Sequence, residues 1–233
     1  MANRQRIGVV VPLFNEREHV AQTLRDMPAC VDEIIVINDG STDGSDAIVE
    51  SLCDPRVMLL QHATRYGVGA ALRTGFSHAA TRELSVVVTM DADGQMDVGD
   101  FARVVAPVLE GRAEYVKGSR FEPGIDLGAM PVQRRFANRL LTRITGRILG
   151  VPGLRDAHCG YTAASGRVVE HLASIELYRS YGVYTSILAA VLEMDAPVEF
   201  VPVKALYGEE KSHIRPLDLA GLAWLLTRYG MRR

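Results

Sequence analysis

Asp91 and Asp93 are separated by a single alanine and follow directly on the apolar run from Leu84 to Met90. The β-branched stretch Ser85-Val86-Val87-Val88-Thr89 reads as a buried strand. Alternate residues of an extended chain point the same way, so both carboxylates can face one site at the strand's carboxyl end. Hard divalent cations such as Mg2+ or Mn2+ take such oxygen ligands, commonly one or two carboxylates completed by substrate phosphates. The chemistry indicated is that of a diphosphate. An Asp-x-Asp pair also arises in an ordinary turn, with Asp93-Gly94 simply capping the next segment. The surrounding elements have to separate the two.

Short apolar runs alternate with helical patterns through the first half of the chain. Strands are expected at 7–11, 33–37, 57–60 and 84–90, and helices at 16–27, 45–52, 68–80 and 98–109. This βαβα order implies an α/β fold: a Rossmann-like three-layer α/β/α sandwich around a mainly parallel sheet. Such sheets bind ligands in the crevice beyond the carboxyl ends of their strands. Three polar segments fall there, each straight after a strand: Pro12-Leu13-Phe14-Asn15-Glu16, Asn38-Asp39-Gly40-Ser41-Thr42-Asp43 and Asp91-Ala92-Asp93-Gly94-Gln95. In the second, Asp39 can accept from a base or ribose hydroxyl and Asp43 can cap the helix near Ser45. Asn15 can serve as an N-cap. The two glycines of Gly67-Val68-Gly69 allow close approach of backbone to a phosphate or to a packed element. The dinucleotide fingerprint is absent because Leu72 stands at the third glycine, and the segment also lacks the Walker Lys-Ser/Thr.

The second half is looser. A strand is expected at 115–117, a Gly/Pro-rich loop at 122–131, a long helix at 132–149 and a short strand or loop at 158–163. Helices at 166–173 and 183–193, a strand at 198–203 and a closing helix at 217–229 follow. No linker divides the chain, so residues 1–233 are expected to form one domain, with a loop and basic amphipathic helix over 122–155 and a loop plus C-terminal helix over 207–233.

Composition narrows the class. A chain that is 48% hydrophobic and 23% charged suits a globular enzyme, and a net charge of −2 argues against a general nucleic-acid binder. Three cysteines without metal-like spacing make no disulfide framework and favour a reducing cytoplasm. The start runs directly into a strand, so no secretory signal is expected. The late apolar run 219–226 is too short to span a bilayer.

Charge is unevenly spread. From Leu127 to Arg155 there are six arginines and no acidic residue. Arg135, Arg139, Arg143 and Arg147 recur every fourth position, beside an apolar stripe of Phe136, Leu140, Ile144 and Ile148. Such a helix suits an anionic membrane face, where each basic residue contributes about 1 kcal/mol. The plainer reading is a surface helix packed on the sheet through that stripe, with its arginines solvated. His62, His78 and His171 have no partner spacing and read as structural or surface residues, and Trp224 as packing.

Val9-Val10-Val11-Pro12-Leu13-Phe14-Asn15-Glu16, the Asn38–Asp43 turn, Gly67-Val68-Gly69-Ala70-Ala71-Leu72-Arg73-Thr74-Gly75 and Asp91-Ala92-Asp93-Gly94-Gln95 resemble family 2 glycosyltransferases. Gly118-Ser119-Arg120 and Asp156-Ala157-His158-Cys159-Gly160-Tyr161 most resemble the polyprenyl-phosphate sugar synthases of that family, dolichyl-phosphate mannose synthase being the type. The resemblance implies the GT-A fold and inverting transfer from a nucleotide diphosphate sugar, UDP- or GDP-linked, to a polyprenyl phosphate. Pro12, Asn15, Glu16 and Asp39 would line the nucleoside pocket. Asp91, Asp93 and Gln95 would hold Mg2+ or Mn2+, with Asp93, Arg120 and Asp156 at the reacting centre. Arg120 and Arg134 would contact the acceptor phosphate, and Lys211 or His213 would close over the donor diphosphate. The implied place is the cytoplasm or its membrane face. Arg65-Tyr66, Val68 and Met96 depart from the family pattern, and no acidic residue stands near Thr185.

Two other readings fit the residues. A hydroxyl acceptor would need a general base, for which Asp156 is the candidate. A non-catalytic nucleotide-binding scaffold would keep the same pocket without turnover.

Overall fold

A computed structural model describes residues 4–128, 130–180, 182–206, 227 and 229. Strands β1 (Ile7–Leu13), β2 (Glu33–Asn38), β3 (Val57–Gln61) and β4 (Val86–Thr89) alternate with helices α1 (Val20–Arg25), α2 (Ser45–Ser51) and α3 (Val68–Thr81). Helix α4 (Phe101–Leu109), β5 (Tyr115–Ser119), α5 (Val132–Leu149), β6 (Thr162–Ser165), α6 (Gly166–Ser174), α7 (Val183–Glu193) and β7 (Val198–Pro202) follow. The strands form one sheet in the order β3-β2-β1-β4-β6-β5-β7. Only β6 runs against its neighbours, antiparallel to both β4 and β5. The other pairs are parallel.

The three-layer expectation holds because alternate strand residues enter different cores. Val9 and Val11 of β1 and Ile34 and Val36 of β2 pack with Leu24, Val49 and Val104 from α1, α2 and α4. Val10, Ile35 and Ile37 pack on the other face with Phe76, Val168 and Leu188 from α3, α6 and α7. Every residue of β2 is buried, as a strand covered on both faces requires.

Two boundaries near the site differ from the sequence expectation. Strand β1 runs on through Pro12 to Leu13. Val10 faces β4, accepting from Met90 N, and its pairing with Thr89 is the last between β1 and β4. Pro12 points to the same side, where no ladder remains to miss its N–H. Helix α1 begins only at Val20, so Asn15 is not its N-cap. The amides of Asn15, Glu16 and Arg17 are instead taken by Ser41 Oγ, Ser45 Oγ and Asp43 Oδ2. Segment 15–17 is thereby fastened to the β2–α2 loop.

Helix α5 also departs from its plainer reading. Its buried face is Asn138, Thr142, Thr145, Gly146 and Leu149. Most of the apolar stripe faces outward: Phe136 is 71% exposed, Leu140 47% and Ile144 39%, as is Val132 one turn earlier at 77%, whereas Ile148 is partly buried. Arg135 turns back to donate to the Met130 and Gly128 carbonyls, both at 2.8 Å. Arg139, Arg143, Arg147 and Arg155 line a groove of about 750 Å³, whose walls include Phe121, Val151 and Leu154. Among the described residues no helix is long and apolar enough to cross a membrane.

Candidate active site

Beyond the carboxyl ends of β4 and β5 lies a cleft of about 240 Å³. Asp91, Asp93 and Gln95 line it from the loop after β4, Arg120 from the end of β5 and Arg134 from the first turn of α5. The remaining wall comes from His158 to Tyr161 before β6, from Tyr184 of α7 and from Lys204 after β7. The segment after β7 is tied to the Asp91 loop by a Met96–Ala205 bridge and by Leu206 N donating to Gln95 O at 2.9 Å.

Burial and the charge of Asp93 push the Asp91 carboxyl up to about 7, with Tyr184 and Arg120 pulling the other way. Two carboxylates under that strain are an oxygen donor set whose repulsion a divalent cation relieves, and they fit one. Asp93 Oδ1 also accepts from Gln95 N at 3.0 Å, which tightens the loop. Among the described residues no cluster of three or more His, Cys, Asp or Glu is arranged as a metal cage. Two carboxylates completed by water and substrate phosphates are a usual oxygen set for Mg2+.

Asp156 corrects one expectation. It is fully buried, and Arg120 grips it side-on, with Nε to Oδ2 at 2.6 Å and Nη2 to Oδ1 at 3.0 Å. The Arg120 and His158 amides donate to it as well, both at 3.2 Å. Burial works to raise its pKa, but the Arg120 charge and hydrogen bonds, aided by Lys117, outweigh this and hold the carboxyl below its usual range. A carboxylate so occupied is a poor proton acceptor, which removes the main support for Asp156 as a general base. Arg155, its neighbour in sequence, pairs with Glu122 instead, at 3.2 Å. Burial lowers Lys117 to about 8 and His158 to about 4, so the His158 ring is neutral at pH 7.

Pro12, Asn15, Glu16 and Asp39 lie apart from the cleft lining, at the ends of β1 and β2. Asn15 Oδ1 accepts from Thr42 N at 2.8 Å. Asp39 is 3% exposed and takes the amides of Tyr66 and Gly67, at 2.8 and 2.7 Å, with His62 Nδ1 at 2.8 Å. Its carboxylate fastens the 65–67 loop, which is a different task from the expected contact with a base or ribose. Gly67 of that loop and Gly69 in the first turn of α3 serve packed backbone: a Cβ at Gly69 would lie 2.2 Å from the Tyr178 carbonyl oxygen. Gly69→Ala is expected to cost about 1–3 kcal/mol in denaturant unfolding, and unchanged stability would show that the 177–179 loop yields freely. Lys211 and His213 lie outside the described residues.

Tyr184 and Lys204 were not anticipated as cleft residues. Lys204 follows the carboxyl end of a strand parallel to β5, a position that could have flagged it. Tyr184 lies in an apolar helix and has no local signal.

A family model for glycosyl transferase family 2 matches residues 8–172. A polyprenol monophosphomannose synthase of Mycolicibacterium smegmatis is 35% identical over 173 residues, covering 72% of this chain and 64% of that protein. A UDP-N-acetylglucosamine–dolichyl-phosphate N-acetylglucosaminyltransferase of Methanococcus voltae is 27% identical over 218 residues, 87% of this chain and 86% of that one. Among solved structures, glucosyl-3-phosphoglycerate synthase of Mycobacterium tuberculosis, in complex with Mn2+, UDP and glucosyl-3-phosphoglycerate, superposes with a TM-score of 0.69 at 23% identity. That match covers 97% of this chain and 81% of the other, and it supports the GT-A fold. On sequence and on architecture together, the chain belongs to glycosyl transferase family 2 and is a glycosyltransferase.

Proposed function

We propose that this glycosyltransferase moves a sugar, with inversion, from a UDP- or GDP-sugar to a polyprenyl phosphate, using Mg2+ or Mn2+. The observation that carries this reading is the charge layout of the cleft. Asp91 and Asp93 are the only carboxylates among its described lining residues, and the cations Arg120, Arg134 and Lys204 line it too. Among the described lining residues no further carboxylate can act as a base. An ionised phosphate needs none, because it is already a nucleophile. The names of the two relatives, one for polyprenol monophosphomannose and one for dolichyl phosphate, support the same acceptor class.

In this mechanism Asp91 and Asp93, with Gln95 beside them, would hold the divalent ion. When bound, that ion neutralises charge on the departing nucleoside diphosphate. Arg120 and Arg134 receive the acceptor phosphate, whose oxygen attacks the anomeric carbon as the bond to the diphosphate breaks. Asp156 acts only through Arg120, presenting its guanidinium at a fixed angle. Pro12, Asn15 and Glu16 form the nucleoside rim, which Asp39 supports through the 65–67 loop.

Segment 122–155 is the acceptor side. Its exposed stripe Val132, Phe136, Leu140 and Ile144 lies beside the groove lined by Arg139, Arg143 and Arg147. An apolar ridge flanked by guanidinium groups suits the surface of an anionic bilayer, where the acceptor is presented. Reversing the charge of Arg139 and Arg143 together is expected to weaken binding to anionic vesicles at least about 30-fold, from about 1 kcal/mol per basic residue. Sedimentation with vesicles measures it, and unchanged binding would remove the membrane reading.

The function itself is tested with a panel of UDP- and GDP-sugars and Mn2+, with and without a short polyprenyl phosphate. Release of one nucleoside diphosphate, stimulated by the lipid phosphate, is the expected result. Nucleotide binding without that stimulation would favour a hydroxyl acceptor, and no binding would favour the scaffold.

A further inference from the structure

Asp91 stands at the end of a strand, but its carboxylate is not held by its own loop. Tyr184, at the start of α7 and 93 residues away in sequence, donates its hydroxyl to Asp91 Oδ1 at 2.7 Å. The side chain is only 7% exposed, and two further residues account for its place. Lys117 Nζ lies 5.6 Å from the ring centroid while donating to the Cys159 carbonyl at 2.8 Å. Gly160 supplies the space: a Cβ there would lie 2.7 Å from Cε2, Cζ and Oη of the Tyr184 ring. Gly160 is thus required by its contact with the Tyr184 ring rather than by a positive φ.

We propose that Tyr184 is the positioning residue of the metal–diphosphate site, fixing one oxygen of Asp91 so that the carboxylate meets the cation in a single orientation, with Gly160 leaving room for it. A carboxylate has about four lone-pair sites, so it can accept from the phenol and still bind a cation. Hydrogen bonds of this kind to ligating carboxylates commonly set metal affinity, and their removal costs about 10- to 100-fold. The inference rests on Asp91 being a metal ligand, as proposed above. Nothing in the sequence joins the two residues; the contact exists because α7 packs on the sheet face beside the end of β4.

The test uses the whole chain and Mn2+ with UDP or GDP, whichever the wild type binds, followed by titration calorimetry. Tyr184→Phe keeps the ring and removes only the donor. Its Mn2+ affinity in the presence of nucleotide is expected to fall about 10- to 100-fold. Nucleotide affinity without metal, and the melting temperature, are expected to stay close to wild type. Gly160→Ala, which must displace the ring, is expected to weaken Mn2+ similarly. The double variant is expected to be no weaker than the worse single one, since both remove the same contact. Wild-type Mn2+ affinity in Tyr184→Phe, or a lower melting temperature with unchanged Mn2+ affinity, would overturn the proposal and leave Tyr184 as packing. Absence of Mn2+-dependent nucleotide binding in the wild type would overturn the metal reading itself, and this inference with it.

Discussion

Asp91→Asn is expected to abolish turnover, by about 10³-fold or more in kcat, while leaving the fold as stable as before or more so. The loss follows from the work assigned to the carboxylate. Neutralising a departing diphosphate is worth several kcal/mol at the transition state, and each 1.36 kcal/mol is about tenfold in rate. An amide keeps an oxygen that can still accept from the Tyr184 hydroxyl, but it brings no charge to a cation. The stability effect has the opposite sign. Burial and Asp93 raise the Asp91 carboxyl to about 7, so the charged form is disfavoured in the folded state relative to the unfolded chain. A neutral residue there relieves that penalty at neutral pH. The trade of stability for activity is common at sites built around like charges. Kinetics and thermal melting on the same preparation check both halves. Retention of more than about a tenth of the wild-type rate would sink the metal-ligand assignment.

Arg120→Ala is expected to fail in two ways at once. It removes the guanidinium proposed to hold the acceptor phosphate, for which a loss of about 10²–10³ in kcat/KM is expected. It also strands Asp156, which is fully buried and draws its main compensation from Arg120. Breaking a buried pair by removing one partner costs about 3–5 kcal/mol, a large share of the stability of an ordinary domain. Arg120→Lys separates the two effects. It keeps a positive charge near Asp156, so most of the stability should return. It cannot reproduce the side-on grip or offer a fixed fork to a phosphate, so the kinetic loss should largely remain. Denaturant unfolding and acceptor-dependent kinetics on both variants measure this. Recovery of full activity in the lysine variant would show that only charge matters at this position.

The same pair shows why an Asp156→Asn variant does not discriminate acceptors. From its loop position beside Arg155 alone, Asp156 reads as a base candidate for hydroxyl transfer. With Asp156 locked to Arg120, its loss unmoors the guanidinium and harms transfer to a phosphate as well.

Much of the fold was legible because it depends on local pattern. Continuous β-branched runs, each followed by a polar segment and then a helical period, specify parallel strands with their chemistry at one edge, and β1 to β4 formed as that pattern required. Asp91, Asp93 and Gln95 could be grouped because they are neighbours on one strand end. Arg120 and Arg134 could be added only through the family resemblance, and the cleft does bring these residues together.

What the sequence by itself determined is therefore the α/β class, the family and the edge of the sheet where its chemistry must lie. Only the tertiary structure decided which partners those residues have. Periodicity shows that α5 has an apolar stripe and a basic one, but not which face meets the sheet. The polar face of Asn138, Thr142 and Thr145 is buried, and Phe136, Leu140 and Ile144 of the apolar stripe are left outside. In the sequence the Asp39 carboxylate is open to a ligand, whereas in the fold the Tyr66 and Gly67 amides donate to it. Arg120 meets Asp156 across 36 residues and Tyr184 meets Asp91 across 93. Period and propensity are written in adjacent residues, whereas these pairings depend on the order in which the strands assemble, and no single segment contains that information.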